Sequence, residues 1–236
     1  MPEFVQPVRH VLALLLVLSA PAAFAQMTAA DSSSADAPWL ANADAARTYG
    51  AGPDGAFDPT LPTIHEFVDF ACPTCRTVFE SKLDSVKAAF VETGRANFVV
   101  RTAPIPRLLR GMHGAEAVFC AGALGGRAGF EFFQRRLYLT QPDWRFLRDP
   151  APAFRQAAAD ADLDAEAFDD CLERDATAPL MAADLRLGIG LGVGGTPTFV
   201  FMAPEASAPA DLFYGEEPLA RFEEAFARTL AYTEPE

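Results

Sequence analysis

The chain contains few histidines and cysteines and is short of basic residues. Its 236 residues include 3 histidines, 4 cysteines and 19 lysines and arginines, against 32 aspartates and glutamates. The formal charge of −13 repels phosphate backbones, so we expect no nucleic-acid partner. Only His65 and His113 follow the N-terminal leader, which argues against a zinc site made from a cysteine pair and neighbouring histidines.

The N-terminal apolar run is too short to span a membrane. It extends from residue 11 to 18 and is soon interrupted by Pro21, whereas a spanning helix needs about 20 apolar residues. A leader with one base, this short run and Ala23-Phe24-Ala25 together have the order of a secretory signal peptide. We expect residues 1–25 to be cleaved after Ala25, with an uncleaved anchor as the alternative. The protein would then be periplasmic or otherwise secreted, in a compartment where disulfides persist.

Composition divides the rest of the chain at about residue 60. Residues 26–60 are rich in Ala, Ser, Asp, Gly and Pro and show no sustained period beyond a possible short helix near residues 39–49. We expect a flexible or loosely docked N-terminal segment there. Residues 61–236 carry regular hydrophobic patterns, and half of the whole chain is hydrophobic, which suffices for one domain with a core.

Strand and helix patterns alternate within residues 61–236. Two β-rich runs enclose a helical pattern that ends at Gly94, and an Ala-rich stretch of several short helices follows at about residues 107–188. A hairpin and an amphipathic helix complete the chain. The predicted strands are 63–70, 96–101, 198–202 and 211–214, and the final helix is 217–232. This order predicts an α/β fold with a helical insertion.

The motif Cys72-Pro73-Thr74-Cys75 lies where the first strand leads into a helix. A thiolate at a helix N-terminus meets the positive end of the helix dipole and unpaired backbone N–H groups, which lower its pKa. Pro73 suits the first helical turn, where its missing N–H needs no partner. Cys72 is therefore the candidate nucleophile, and Cys75, one turn further on, is the candidate resolving thiol.

Other chemistry for this motif is less well supported. Zinc needs four ligands, and Cys120 and Cys171 stand alone in the sequence. A c-type haem needs a histidine after the second cysteine, where this chain has Arg76. A purely structural disulfide remains as an alternative, although the strand-to-helix position argues against it. We expect neither metal nor cofactor.

The identity of Thr74 affects the expected pKa of Cys72 and the oxidising power of the Cys72–Cys75 disulfide. A cationic residue between the two cysteines would stabilise the Cys72 thiolate, whereas threonine offers at best a neutral hydroxyl donor. We therefore predict a smaller depression of the Cys72 pKa, and a less oxidising disulfide, than histidine at position 74 would give.

Two segments together resemble a known family. Residues 66–75, Glu-Phe-Val-Asp-Phe-Ala-Cys-Pro-Thr-Cys, and residues 192–199, Gly-Val-Gly-Gly-Thr-Pro-Thr-Phe, flank the helical insertion. They resemble the two motifs of the DsbA-like branch of the thioredoxin superfamily, and the similarity extends from about Leu61 to Tyr232. The resemblance implies a thioredoxin-like fold with a helical insertion.

The resemblance also implies roles for single residues. Pro197 matches the family's cis-proline beside the active-site cysteines, and Thr196 would present its backbone to a substrate peptide in a strand-like pairing. Glu66 matches a buried acid that tunes the thiols and relays a proton to or from Cys75. Alternation alone leaves open whether Glu66 instead faces the surface.

Cys120 and Cys171 fall within the helical insertion. Both lie on apolar faces, which leaves two readings: buried free thiols or a structural disulfide. We favour the disulfide because of the oxidising compartment, and some DsbA-like proteins contain one there.

The sequence favours a monomeric protein disulfide oxidoreductase, most simply an oxidase of exported polypeptides. A quinone-linked membrane protein would reoxidise it. The alternative is a reductase or isomerase supplied by a membrane reductant, although residues 26–60 are too short for the dimerisation domain of such isomerases. A further alternative is a non-catalytic thioredoxin-like chaperone or binding module, against which the intact Cys72 and Cys75 argue.

Overall fold

The computed structural model describes residues 37–106, 108 and 110–233. The predicted signal peptide and the first part of the predicted flexible segment, residues 26–36, lie outside this range. Within it, no helix is long and apolar enough to cross a membrane.

A five-stranded mixed sheet forms the centre of the fold, in the order β1-β3-β2-β4-β5. Strand β2 runs parallel to β3 and antiparallel to β4, so both of its edges are paired. Its residues are almost all buried, as expected for a central strand. The strands are β1 Thr48–Tyr49, β2 Thr63–Val68, β3 Asn97–Thr102, β4 Thr198–Met202 and β5 Asp211–Tyr214.

Helices cover this sheet and build a separate helical region between β3 and β4. In chain order they are α1 Ala37–Ala46, α2 Pro73–Ser81, α3 Leu83–Phe90, α4 Gly111–Leu139, α5 Gln141–Trp144, α6 Ala151–Asp160, α7 Ala165–Glu173, α8 Ala178–Gly190 and α9 Leu219–Leu230. The helical region is thus observed from Gly111 to Gly190, close to the expected 107–188. Its order relative to the strands gives the predicted thioredoxin-like fold with a helical insertion.

The helix after β2 is interrupted, where the sequence predicts one continuous helix. Lys82 has φ −130° and ψ −35°, and α3 starts again at Leu83. Val78, Val86 and Phe90 nevertheless face the core from both pieces. The chain then turns at Gly94, whose φ of +69° favours glycine.

The hydrophobic core extends from the sheet into the helical region, which also contains one covalent link. Cys120 of α4 and Cys171 of α7 are joined in a disulfide, the pairing that the sequence favours. Phe133 and Phe168 pack beside it on the same two helices, with ring centroids 5.3 Å apart. Both cysteines are fully buried, so this disulfide is enclosed within the helical region.

Residues 37–60 are not the flexible segment expected from their composition. Strand β1 pairs antiparallel with β3, and Ala43 and Ala46 of α1 are buried at 0% and 2% exposure. A Cβ added at Gly122 of α4 would stand 3.0 Å from the Ala46 Cβ, so the two helices approach closely. The packing of α1 against the domain is hard to predict from the sequence, because the buried face of α1 consists of small residues, which produce a weak hydrophobic pattern.

Candidate active site

Cys72 is the N-cap residue of α2 and Pro73 its first helical residue, where the sequence places them. The Cys72 backbone is extended, with φ −79° and ψ 122°, and its N–H donates to the carbonyl oxygen of Asp69 at 2.9 Å. This turn directs the thiol toward the unpaired N–H groups of the first helical turn. Pro73 and Thr74 are exposed, whereas Cys72 and Cys75 are 5% and 1% exposed.

The two thiols have opposite electrostatic environments in this dithiol form of the protein. A hydrogen bond from the Cys75 side chain lowers the pKa of Cys72 to about 5, although burial opposes the shift. The backbone N–H groups of Thr74 and Cys75 and the side chain of Thr196 add to the lowering. Burial raises the pKa of Cys75 well above its ordinary value. Near neutral pH the pair therefore consists of a Cys72 thiolate and a Cys75 thiol.

The loop before β4 lies directly against Cys72. Its Thr196–Pro197 peptide bond is cis, and the Thr196 carbonyl oxygen lies 3.5 Å from the Cys72 Sγ. The Thr196 hydroxyl is buried beside the two thiols. Tyr214 fastens the preceding turn, since its hydroxyl donates to the Gly192 carbonyl at 3.1 Å and accepts from the Gly194 N–H at 3.4 Å.

Glu66 is buried on the central strand, which decides the question that alternation left open. It is 1% exposed, and its Oε2 has no partner among the described residues. Burial raises its pKa to about 8, while the positive charge of Lys87 acts in the opposite direction. Glu66 is therefore predominantly protonated at neutral pH.

A second buried acid, Asp69, was not predicted. Its Oδ1 accepts from the Ala71 N–H and its Oδ2 from the Ile105 N–H, each at 2.7 Å. Burial raises its pKa to about 6, the two backbone hydrogen bonds oppose this, and the nearby Cys72 charge adds to it. A Cβ at Gly111 would come within 2.5 Å of both Asp69 oxygens, so a side chain there would force the Asp69 carboxylate to move from its two backbone hydrogen bonds. The sequence signal that could have identified Asp69 is the preference of aspartate for tight turns.

Two residues from the helical region complete the surroundings. Gln141 donates to the backbone carbonyls of Phe70 and Cys72, at 2.8 and 3.0 Å. Tyr138 is 1% exposed and packs 4.9 Å from the Phe79 ring, and burial raises its pKa well above the ordinary value. Neither residue has a sequence signal, because both approach the motif from about 70 residues away in the chain.

The site combines a polarised dithiol with buried acids. No group of three or more His, Cys, Asp or Glu side chains in the described part of the chain is placed to hold a metal ion. Burial lowers the pKa of His65 to about 3, and the positive charges of Arg101 and Arg47 add to this shift, so its imidazole is neutral. The chemistry available to this site is thiol–disulfide exchange.

Known proteins resemble the chain in fold. A family model described as thioredoxin matches residues 59–205. Wolbachia pipientis alpha-DsbA1 superimposes with a TM-score of 0.60 at 18% identity, covering 78% of this chain and 92% of that one. Pseudomonas aeruginosa DsbA2 gives 0.57 at 20% identity, covering 76% and 91%. Oxidised BdbD from Bacillus subtilis gives 0.59 at 17% identity, covering 79% and 93%.

No curated protein sequence matches the chain significantly. The family model nevertheless spans more than half of the chain, and it includes the CPTC motif, the helical region and the Thr196–Pro197 loop. Each of these structural matches covers more than three quarters of this chain. The chain belongs to the thioredoxin family, and its fold is similar to the folds of DsbA proteins.

Proposed function

We propose that the protein is a thiol–disulfide oxidoreductase that oxidises exported polypeptides through Cys72 and Cys75. The observation that carries the proposal is the polarised pair: burial and the Cys72 thiolate hold Cys75 protonated, while the helix N-terminus and Cys75 itself stabilise the Cys72 thiolate. A stabilised thiolate stabilises the reduced form of the pair, which makes its disulfide a stronger oxidant.

The reaction starts from the Cys72–Cys75 disulfide. A substrate thiolate attacks the Cys72 sulfur, forms a mixed disulfide and releases the Cys75 sulfur, which takes up a proton. A second substrate thiolate attacks the substrate sulfur of the mixed disulfide and releases the Cys72 thiolate. Two electrons pass from the substrate to the cysteine pair, and the substrate gains one disulfide.

The remaining site residues support these steps. Glu66, which is buried and carries a proton near neutral pH, is proposed to relay a proton to or from Cys75. Thr196, next to the cis-bonded Pro197, offers its backbone to an extended substrate segment. Pro73 and Thr74 present the exposed first turn of α2 beside the reactive sulfur, and the Cys120–Cys171 disulfide stabilises the helical region.

The proposal places the protein in the periplasm or another exported compartment after cleavage of residues 1–25, acting as a monomer. A quinone-linked membrane protein would reoxidise the pair. The second candidate is a reductase or isomerase of the same fold, kept reduced by a membrane protein. Thr196 favours it, because the superfamily's isomerases resemble this chain at a threonine before the cis-proline.

The reduction potential of the cysteine pair separates the two candidates. The protein is equilibrated with reduced and oxidised glutathione, and the two forms are counted by mass spectrometry. A potential around −120 mV supports the oxidase, and one around −270 mV supports the reductase or isomerase.

Two variants test catalysis itself. Cys72→Ser should abolish disulfide exchange with a peptide dithiol. Cys75→Ser, incubated with oxidised glutathione, should accumulate a mixed disulfide on Cys72 and release one glutathione thiol, because the variant lacks the thiol that would resolve it. Undiminished function in Cys72→Ser would instead identify a non-catalytic binding module.

A further inference from the structure

The loop between α5 and α6 exposes two neighbouring apolar side chains at its tip. Phe146 is 76% exposed and Leu147 is 43% exposed, and these two residues are called the loop tip below. They stand between Arg145 and Arg148 in the sequence Arg-Phe-Leu-Arg. Neighbouring apolar side chains with a polar rim are typical of an interaction surface, so the loop tip is a candidate contact site.

The charge around the loop tip is positive, although the whole chain is acidic. Within the described part of the chain, no acid forms an ion pair with Arg110, Arg145 or Arg148. The Arg145 guanidinium instead lies 4.4 Å from the centroid of the phenylalanine ring at the loop tip. Asp143 and Asp149 flank the same loop, so three arginines minus two aspartates leave a local charge of +1, against −13 for the chain. This local charge favours an anionic partner.

The backbone at the loop tip has polar groups that are already paired within the protein. The Arg110 side chain donates from Nε to the Leu147 carbonyl at 2.7 Å and from Nη2 to the Arg148 carbonyl. The Leu147 N–H donates to the carbonyl of Trp144, a buried residue, at 3.0 Å. These groups need no water as partner, which is the condition for irregular backbone to enter a lipid surface.

We propose that this loop binds bilayers that contain anionic phospholipids. The side chains of Phe146 and Leu147 would insert among the headgroups, while Arg145 and Arg148 contact the phosphates. Aromatic rings favour the membrane–water interface, and the long arginine side chain can extend along an apolar surface with its charge in the polar layer. An apolar centre with cationic edges is the pattern of an interfacial membrane site. A bilayer fits the loop tip better than a protein segment does, because the paired backbone carbonyls are not free to bind a second chain.

Binding through this loop would keep the reactive cysteine near the membrane. Helix α5 contains only four residues, Gln141–Trp144, and leads directly into the loop. The side chain of Gln141 donates to the Cys72 carbonyl at 3.0 Å, so the same short helix supports the active-site turn at one end and the loop tip at the other. The proposal goes beyond the redox chemistry of the cysteines and does not depend on it.

Cosedimentation with lipid vesicles tests the proposal. One set of vesicles contains phosphatidylcholine alone, and the other contains equal parts of phosphatidylcholine and phosphatidylglycerol. The wild-type protein should bind the anionic vesicles about tenfold more strongly than the neutral ones, since each arginine near an anionic surface strengthens binding. Added salt should weaken this binding, because it screens the attraction between the arginines and the phosphates.

Substitutions in the loop assign the binding to the loop tip and its arginines. Phe146→Ala should weaken binding to the anionic vesicles about tenfold, and Arg148→Gln about fivefold. The matched controls are Phe57→Ala and Arg186→Gln, at exposed positions outside the loop, and both should bind like wild type. All of these proteins share one N-terminus, so a difference between them reports on the substituted side chain.

The outcomes separate this proposal from the proposed function. All four variants should exchange disulfides with glutathione at the wild-type rate, because glutathione exchange needs only the cysteine pair. Equal binding of wild type to neutral and anionic vesicles, or undiminished binding by Phe146→Ala or Arg148→Gln, would overturn the membrane site. If the loop bound an acidic protein segment instead, wild type would sediment with neither vesicle, which would overturn it as well. None of these results would alter the exchange with glutathione, whose loss would count against the proposed function alone.

Discussion

The side-chain amide of Gln141 donates a hydrogen bond of 3.0 Å to the backbone carbonyl of Cys72. The same amide reaches the Phe70 carbonyl at 2.8 Å, so one side chain from the start of α5 spans the turn that precedes the reactive thiol. The helical region therefore supports the position of the active-site turn, in addition to enlarging the fold.

Gln141→Ala should lower the free energy of unfolding by about 2 kcal/mol, since removal of a buried donor leaves its acceptors desolvated and unpaired. Chemical denaturation measures the change. The matched control is Gln156→Ala, whose exposed side chain bonds Asp160 within α6 and should change stability by less than about 0.5 kcal/mol. Equal losses in the two variants would show that the Gln141 hydrogen bonds do not support the turn.

The reactivity of Cys72 should follow a pKa far below that of an ordinary thiol. Alkylation of the reduced protein by iodoacetamide should rise with pH through a midpoint near 5 and then level off. Because the folded pKa is lowered from 9.0 to about 5, the thiolate's stabilisation of the folded dithiol form is complete above about pH 9 and is lost progressively as pH falls to about 5. The Cys72→Ser variant, which retains the buried Cys75, should react slowly throughout. A midpoint near 8.5 would contradict the polarised pair.

Thr74→His should make the disulfide more oxidising. Thr74 is exposed in the first turn of α2, and its backbone already contributes to the lowered pKa of Cys72. A protonated imidazole there would stabilise the thiolate further and raise the reduction potential by about 30 mV at pH 6, equivalent to tenfold in the exchange constant. Thr77→His places the same residue on the same helix, also at an exposed position, and should have little effect. Equal potentials in wild type and Thr74→His would defeat the prediction.

Glu66→Gln should stabilise the protein at alkaline pH. The folded pKa of Glu66 is raised to about 8 from 4.5, so the folded state retains a proton that the unfolded chain loses. Stability therefore falls as pH rises between these two values, and the neutral amide removes that penalty. Unfolding of variant and wild type at pH 4 and pH 9 should show the variant's advantage only at pH 9. The control is Glu92→Gln, at an exposed position. If the free energies of unfolding of Glu66→Gln and wild type differed by the same amount at pH 4 and pH 9, Glu66 would not be a buried titrating acid.

The sequence predicts the strands and helices correctly where the local residue preferences agree with the burial of those residues in the fold. The runs at 198–202 and 211–214 are β-rich and are observed as β4 and β5 with the same bounds. The break at Lys82 was missed because Val78, Val86 and Phe90 keep a helical spacing across it. At the site, Cys72 and Pro197 belong to recognisable motifs, whereas Gln141 acts through a contact that only the folded chain creates. Single-sequence periodicity contains no information on such distant partners.

The least predictable feature is a buried charge cluster at Asp184. This fully buried carboxylate on α8 contacts Arg47, which follows α1, and it accepts from Arg101 at 3.1 Å and from the Thr102 N–H at 2.9 Å. Arg47 is itself fully buried and also donates to the Val100 carbonyl at 3.3 Å. The cluster thus joins the N-terminal segment, β3 and the helical region, and it is a second reason why residues 37–60 are ordered.

Asp184→Asn should cost about 3–5 kcal/mol of unfolding free energy, because loss of one member leaves buried arginine charge uncompensated. The control is Asp169→Asn, which breaks an exposed ion pair with Arg155 at 2.6 Å and should cost less than about 1 kcal/mol. Proteolysis should in addition cleave the Asp184→Asn protein preferentially within residues 37–60, since Arg47 holds that segment to the domain. If the two variants lost equal stability and were cleaved alike, docking of the segment would rest on the β1–β3 pairing and the close approach of α1 to α4 instead.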